Sequence, residues 1–428
     1  ASAGLIDATG VFTAPETEGT VTITVATPSQ HVDVQVNVTL TTNAVPIAST
    51  GTVTTPSGQG SQIHGFYSDV QHEWWVLYTS SAAPTKVQTM HSTDFQAFTA
   101  GPSVDLNHAI GNGNNLAVAH RMLGDHEIMH VAQAWDQGFG RSHVRAELTS
   151  SGLVWGGAQD IAENGTTTPD GPAVAITEAG QVIDGTGYLQ TPQNPPLTPC
   201  GNGDVVMYTA NQLDDGTTSF DAMTYKQEVI WCVPTHVNAR WLGTDGDTIY
   251  HLYDDGLTDP NTVNIPYQVR RANTWLPLEQ TYTVPPSVFV GDIAFDIADW
   301  DATIVGRKLH AVRRNGMSLA LEHRVLDLDG IGGFVNGGAM GSEAGVSGTG
   351  VIVAPYGTGV IAVQITATAS AEPIIYAFYD GTKWTAWHTL DAPASAKRTG
   401  LSAIPGPRPA LLWTEPGAAS TLTGAALP

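Results

Sequence analysis

The run His126-Glu127-Ile128-Met129-His130 is the stretch of this sequence most able to carry chemistry. On a helix, its two imidazoles would project from one face to bind zinc, with the glutamate polarising a water. The surroundings predict otherwise. Gly124-Asp125 signals a turn, and Ile128 through Trp135 can alternate as a strand. Four strand residues span ~13 Å, too far for two ligands of one metal. The extended motif would also place Gly and a third His where Gln133 and Asp136 stand. We read the run as a hairpin with a coincidental spelling. Fourteen His occur in all, and His120, His126, His130 and His143 fall close together. Neighbouring strands can gather some of them, although a strand His is ordinarily a satisfied polar group.

Other residue types invite other chemistry. The turns Leu213-Asp214-Asp215-Gly216, Gly243-Thr244-Asp245-Gly246-Asp247 and Asp327-Leu328-Asp329-Gly330 suggest calcium, a hard cation that takes oxygens from tight loops. None completes the alternating-Asp spacing with a terminal Glu, so ordinary hairpin turns account for them and no cofactor is expected. Glycoside cleavage needs two carboxylates about 5–10 Å apart in a cleft. Asp69, Asp245 and Asp299 lie near the ends of expected strands, and Arg121, Arg145, Arg240 and Arg307 supply cations. No Gly-x-Ser-x-Gly and no glycine-rich phosphate loop occurs, which excludes the commonest serine-hydrolase and nucleotide-dependent chemistries. Trp74-Trp75 and the pair Trp384 and Trp387 could stack on sugars. Trp74 and Trp75 must point to opposite faces of a strand, and core packing is the plainer use for such rings. Cys200 and Cys232 allow a disulfide, two inert thiols or half a metal site; their loop and strand surroundings favour the disulfide.

The elements that must position these residues are strands. Windows with apolar residues at three-and-four spacing are scarce, whereas short alternating runs punctuated by Gly, Asp-Gly and Pro recur throughout. Residues 1–43 are rich in Thr and Val, with Val21-Thr22-Ile23-Thr24-Val25 and Val32-Asp33-Val34-Gln35-Val36-Asn37-Val38 alternating. Further on, a unit of roughly 50–60 residues repeats. A late aromatic marks it at Phe98, Trp155, Trp275 and Trp387, separated by 57, 120 and 112 residues, or one, two and two units. Such a period with about four strands per unit predicts an all-β propeller. The units fall at 59–106, 108–161, 170–236, 238–284, 290–340, 347–391 and 398–428. The last has three strands of its own. The strand 45–53 supplies a fourth and closes the ring without an open edge, which favours seven blades over six.

Two resemblances follow from these residues. Gly4-Leu5-Ile6-Asp7-Ala8-Thr9-Gly10-Val11-Phe12-Thr13-Ala14-Pro15, with Gly19 and the Val-Thr-Ile-Thr-Val strand, resembles the second half of bacterial immunoglobulin-like surface domains. A complete sandwich of that kind has about seven strands in ~100 residues. The resemblance thus implies that the chain begins inside a longer protein, or that a neighbouring chain donates strands. The blades resemble bacterial sialidase-like and repeat-containing surface propellers. The Asp-box pattern of that superfamily is present only in degraded form, as Ser92-Thr93-Asp94-Phe95 and Asp380-Gly381-Thr382-Lys383-Trp384. A sialidase would also require an arginine triad and a Tyr-Glu pair, and the opening Arg-Ile-Pro segment is absent.

Composition narrows the function class. Seventeen Lys plus Arg against 40 Asp plus Glu give a formal charge of −23, which repels phosphate backbones and argues against nucleic acid. With 42% hydrophobic residues the chain can build a core, so disorder is not expected. Only 5 Lys occur against 12 Arg; the acidity suits either an ordinary secreted protein or a saline setting. No run of 18 apolar residues predicts a membrane span. Residue 1 is Ala, and no signal peptide stands at the start, as in a mature or trimmed product. The expectation is an extracellular or cell-surface protein with two parts, 1–43 and a propeller over 44–428. It is expected to be a non-enzymatic surface or assembly protein: a rigid platform for glycan or protein contact in adhesion or filament assembly, self-associating through its N-terminal strands. The alternative is a secreted polysaccharide-degrading hydrolase or lyase with its site at the channel mouth.

Overall fold

The computed structural model describes residues 5–6, 12–13, 19–27, 30–38, 44–48, 64–109, 116–135, 140–162, 170–188, 204–216, 223–232, 238–254, 267–271, 274–275, 300–314, 321–329, 335–340, 351–366, 372–390, 398–416 and 420–427. The described elements are all strands, and seven small antiparallel sheets form a seven-bladed β-propeller. Blade 1 is built from Gly65–Ser68, Glu73–Ser80 and Ala83–Ser92, with Thr99–Ala100 and Val104–Asp105 both on its third strand. Blade 2 comprises Leu116–Leu123, His126–Ala134, Gly140–Thr149 and Gly152–Trp155, with Gln159–Ala162 also pairing the third strand. Blade 3 contains Asp170–Ile176, Val182–Tyr188, Asp204–Ala210 and Tyr225–Cys232; blade 4 contains Asn238–Asp245, Thr248–Asp254, Tyr267–Arg271 and Thr274–Trp275. Blade 5 is Trp300–Val305, Lys308–Arg314, Leu321–Asp327 and Val335–Ala339, and blade 6 is Val351–Tyr356, Gly359–Ile365, Ile374–Tyr379 and His388–Thr389.

Blade 7 takes Thr399–Ile404, Ala410–Glu415 and Thr421–Ala426, and Val45–Ala48 lies antiparallel on the last of these, Gly424 opposite Val45. Pro46 sits on this outermost strand, where a missing N–H costs no ladder bond and blunts the edge. Residues 49–53 lie outside the described residues. Ahead of the ring, Leu5–Ile6 pairs with Phe12–Thr13, and Gly19–Thr27 pairs with Gln30–Val38 as a separate two-stranded sheet. These strands do not by themselves show an immunoglobulin-like sandwich. No described helix is long and apolar enough to cross a membrane.

Apolar faces of adjacent blades meet and supply most of the packing. Phe66, Trp75 and Leu77 of blade 1 pack with Val118, Met129 and Val131 of blade 2, and Ile361 and Val363 of blade 6 pack with Leu411 and Trp413 of blade 7. Burying each such side chain contributes about 1.5–3 kcal/mol. Since each blade is an antiparallel meander, the turns after its first and third strands share one face of the ring. Both degraded Asp-box runs lie there, between third and fourth strands. Asp94 Oδ1 accepts from the N–H of Gln96 (2.8 Å), and Asp380 Oδ1 from the N–H of Thr382 and Lys383 (both 2.9 Å).

Candidate functional site

The first strands of the seven blades enclose a central cavity of about 310 Å³. Its lining is mostly small and apolar, including Gly65, Val118, Ala119, Ala175, Ala302 and Ala354. Among the described residues two titratable groups line it, His120 and Asp301. His120 stacks on Phe66 at 4.5 Å, and its Nε2 lies 3.2 Å from Glu127 Oε1. Burial works to raise the Glu127 carboxyl, but contacts from His120, Ser68 and the Asp69 N–H outweigh it and leave Glu127 below its ordinary value. Asp301 is buried. Its Oδ1 accepts from the Ala302 N–H (2.6 Å) and its Oδ2 from the Val353 N–H of blade 6 (2.8 Å). Burial pushes Asp301 up to about 8, against those two N–H groups.

The candidate acids and arginines do not converge on this channel. Asp69 is exposed and donates its N–H to Glu127 Oε1 at 2.7 Å. Arg307 of blade 5 clasps Asp245 of blade 4 and holds Asp329 at 2.7 Å, binding three exposed turns together. Arg121 donates to the backbone oxygens of Glu178 and Asp214, the latter at 2.7 Å. Asp299 and Cys200 lie outside the described residues, as do the side chains of Arg240 and Cys232. The Asp-rich turns spend several carboxylates on arginines and backbone N–H groups. Among the described residues no group of three His, Cys, Asp or Glu is placed to hold a metal ion.

The His-Glu-x-x-His run lies on the strand His126–Ala134, and its two imidazoles part company. His126 stays near the surface beside Asp125, while His130 is completely buried. Register explains what His130 meets. It stands opposite Arg145, and Ala132 opposite His143, so the two imidazoles are diagonal neighbours on one face. His130 Nδ1 lies 2.9 Å from His143 Nε2, and its Nε2 lies 2.9 Å from Asp214 Oδ2. His143 Nδ1 reaches Asp184 Oδ2 at 3.2 Å. Arg141 pairs with Asp184, and Arg145 pairs with Asp214 and, at 2.7 Å, with Glu147. Both aspartates come from blade 3. Two arginines are thus matched by two aspartates in a closed network between blades 2 and 3. Burial lowers His130 to about 4, opposed by Asp214. Burial works to raise Asp214, but His130 and Arg145 outweigh it and hold the carboxyl well below its ordinary value. Tyr225 packs on His143 at 4.7 Å, and burial raises its hydroxyl well above the usual range.

Trp74 and Trp75 are both buried, on opposite faces, and Trp384 and Trp387 are half-buried. Trp155 Nε1 donates to Pro102 O (3.1 Å) and Trp387 Nε1 to Met340 O (2.8 Å), so each ties its blade to the one before. On the outer part of the blade 1–2 junction a cleft of about 720 Å³ opens, lined by Gln71, Glu73, Trp75, His91, Ser151 and Gly152 among others. His91 lies flat on Trp75, at 4.6 Å and 13° between rings, and its Nδ1 meets Glu73 Oε2 at 2.7 Å. The sequence reading missed Arg141, Asp184, Glu73 and His91. The alternation Arg141-x-His143-x-Arg145-x-Glu147 was a visible signal for the first, whereas the others depend on register and blade order.

No family model and no curated relative matches the sequence. Several solved structures are similar in fold. Polysaccharide lyase Uly1 is 10% identical, with 90% of this chain and 99% of that chain covered and a TM-score of 0.48. A Trypanosoma rangeli sialidase in complex with the inhibitor DANA is 10% identical over 80% of this chain and 58% of its own, at TM-score 0.44. An Aleuria aurantia lectin in complex with Fucalpha1-6GlcNAc is 10% identical, covering 90% and 97%, at 0.41. Likeness at this level carries no inference about ligand or chemistry.

Proposed function

We propose that this chain is an extracellular, non-enzymatic surface or assembly protein whose propeller is a rigid platform for glycan or protein contact. The observation that supports this reading is the channel. Among the described residues it brings together no pair of carboxylates and no His-Tyr-Arg group. Among the described residues, His130, His143, Arg141, Arg145 and Tyr225 are shut between blades 2 and 3, with the arginines paired to aspartates. Catalysis needs such groups within reach of a reacting atom, and a closed, neutralised network offers none. The N-terminal segment 1–43 would attach the ring to a longer chain or to a neighbouring subunit. Among the described residues Gly19–Thr27 pairs with Gln30–Val38 alone, and a two-stranded hairpin by itself is marginal in water, which favours a partner for it. Nucleic acid is an unsuitable partner at this charge.

The test pairs binding with turnover. Soluble and insoluble polysaccharides are incubated with the protein, and retention is measured beside new reducing ends and absorbance of unsaturated uronates. Retention without product is expected; product above a heat-inactivated control sinks the reading. A second reading, a polysaccharide hydrolase or lyase, is favoured by one observation: His120 lines the channel with its ring fixed by buried Glu127. In that case His120→Ala abolishes the product.

A further inference from the structure

The cleft between blades 1 and 2 is built rather than incidental. Its two sides are tied across the blade junction by Gln71 Nε2 donating to Thr149 O (2.8 Å) and by Trp155 Nε1 donating to Pro102 O. On one wall the segment around Gly101 closes onto the Trp75 ring. A Cβ at Gly101 would lie 2.8 Å from ring carbon Cζ3 and 2.5 Å from Thr89 Oγ1, so glycine alone permits that approach. The opposite wall is the turn Ser150-Ser151-Gly152, with Gly152 at φ +128 and open space where a Cβ would be. Between them the His91 ring is backed by Trp75 and its orientation is fixed by Glu73. Both polar side chains are only partly covered, at 26% and 19% exposure.

We propose that this cleft is a subsite for an uncharged oligosaccharide. The inference rests on the platform reading and names where the contact is made. Three features set the ligand class. The volume lies within the ~300–1,000 Å³ typical of small-ligand sites. A flat ring backed by a second ring offers a stacking surface, and beside it stand a carboxylate, an amide and serine hydroxyls able to exchange hydrogen bonds with vicinal hydroxyls. An ionised carboxylate carries about four acceptor positions, of which the His91 contact uses one. Among the described residues no Lys or Arg lines the cleft, so a uronic acid or sulfated sugar would meet Glu73 without a compensating cation from them. The overall charge of −23 repels an anionic polymer as well.

Isothermal titration of the whole chain tests this, with neutral tetrasaccharides (β1,4- and β1,3-linked glucose, β1,4-linked mannose) as probes and a tetramer of uronic acid as the charged counterpart. At least one neutral probe should bind, more tightly than the uronate. Glu73→Gln, which keeps shape but removes the charged acceptor, should weaken it about tenfold. Ser151→Arg, at an exposed turn, should block the cleft without touching the core. It carries the test if Glu73→Gln fails to fold. Binding that survives unchanged in both variants overturns the cleft and leaves the platform standing. So does preference for the uronate. If neither the tetrasaccharides nor any polysaccharide is bound, the cleft falls and the platform reading is left with protein contact alone, and if a probe is cleaved the platform reading falls on its own.

Discussion

Blades 2 and 5 place a histidine pair in the same way and surround it differently. In each, the two imidazoles are 13 residues apart on the second and third strands, 2.9 and 3.0 Å between ring nitrogens. Register is identical: His130 opposite Arg145 with Ala132 opposite His143, and His310 opposite Val325 with Val312 opposite His323. Around the blade 2 pair stand Arg145 and Arg141, answered by Asp214 and Asp184 of blade 3. At the matching positions blade 5 has Val325 and Leu321, and its pair is enclosed by rings from blade 6. Tyr379 lies 4.6 Å and Trp384 5.1 Å from His323, whose Nδ1 faces Gly337 O at 3.0 Å. One backbone arrangement thus tolerates two ways of burying imidazole, by saturating it with charge or by wrapping it in aromatic surface. The lesson is energetic. A buried ion network adds little net stability when intact and costs heavily when one partner is removed, while a neutral pair in an aromatic cage loses only its own contacts.

Asp214→Ala is the sharpest way to break the comparison. It leaves Arg145 and His130 in a dry junction without the carboxylate they share, while the pair of Arg145 with Glu147 remains. Loss of about 3–5 kcal/mol is expected, a large share of the stability of an ordinary domain. Chemical denaturation should show a lower midpoint at unchanged slope. His323→Phe in blade 5 keeps a ring but removes the His310 contact and the bond to Gly337 O at 3.0 Å. Here about 1–2 kcal/mol is expected. Equal losses in the two variants would erase the distinction between charged and aromatic burial.

Acid sharpens the same contrast. Burial, followed by the influence of the partner ring and then of Lys308, lowers His310 to about 4, and burial lowers His323 to about 4 against its bond to Gly337. The ordinary value is 6.5. The folded state therefore binds fewer protons than the unfolded state inside that window. The contribution of these two imidazoles to stability is complete above pH 6.5 and falls as pH drops toward 4. A double variant, His310→Phe with His323→Phe, should flatten the slope of unfolding free energy between pH 4 and 6.5 by up to two protons, at most about 3 kcal/mol per pH unit. An unchanged slope would mean that the blade 5 imidazoles take up protons inside the fold.

Much of the ring was legible because its signals are local. Phe98, Trp155, Trp275 and Trp387 recur for a geometric reason: each lies on or just before an outer strand of its blade, and from there Trp155 and Trp387 bond the previous blade. The turn at Gly124-Asp125 likewise made His126–Ala134 a strand, as the pairing with Leu116–Leu123 shows. What the sequence hid is whatever forms between blades. Asp184 and Asp214 lie 41 and 84 residues from the histidines they touch, and nothing in their own neighbourhoods marks them as partners. Glu73 and His91 meet because Trp75 stands opposite His91 on the adjacent strand, a fact of register that alternation alone does not yield. Positions that pack within a sheet announce themselves by period, whereas sites between sheets need the sheets to be assembled first.

The smallest effect at acid pH probes Asp301, a carboxylate that blade 5 buries. Asp301 stands opposite Val312, at the position that Ala117 occupies opposite Ala132 in blade 2, so it shares the face of the aromatic-caged pair. Burial holds it protonated up to about 8, whereas its ordinary value is 3.8. The folded state therefore binds more protons than the unfolded state across that window. Its contribution to stability is full at the acid end and is lost as pH rises toward 8. Asp301→Asn removes this dependence. The amide oxygen can still accept one of the two N–H groups, and losing the other costs about 1 kcal/mol. The variant should be slightly less stable than the parent near pH 4.5, and the gap should reverse well before pH 8. A gap that stays constant over that range would mean that the N–H groups of Ala302 and Val353 keep the carboxylate ionised. Blade 5 would then carry a buried charge as blade 2 does, solved by backbone donors in place of arginine.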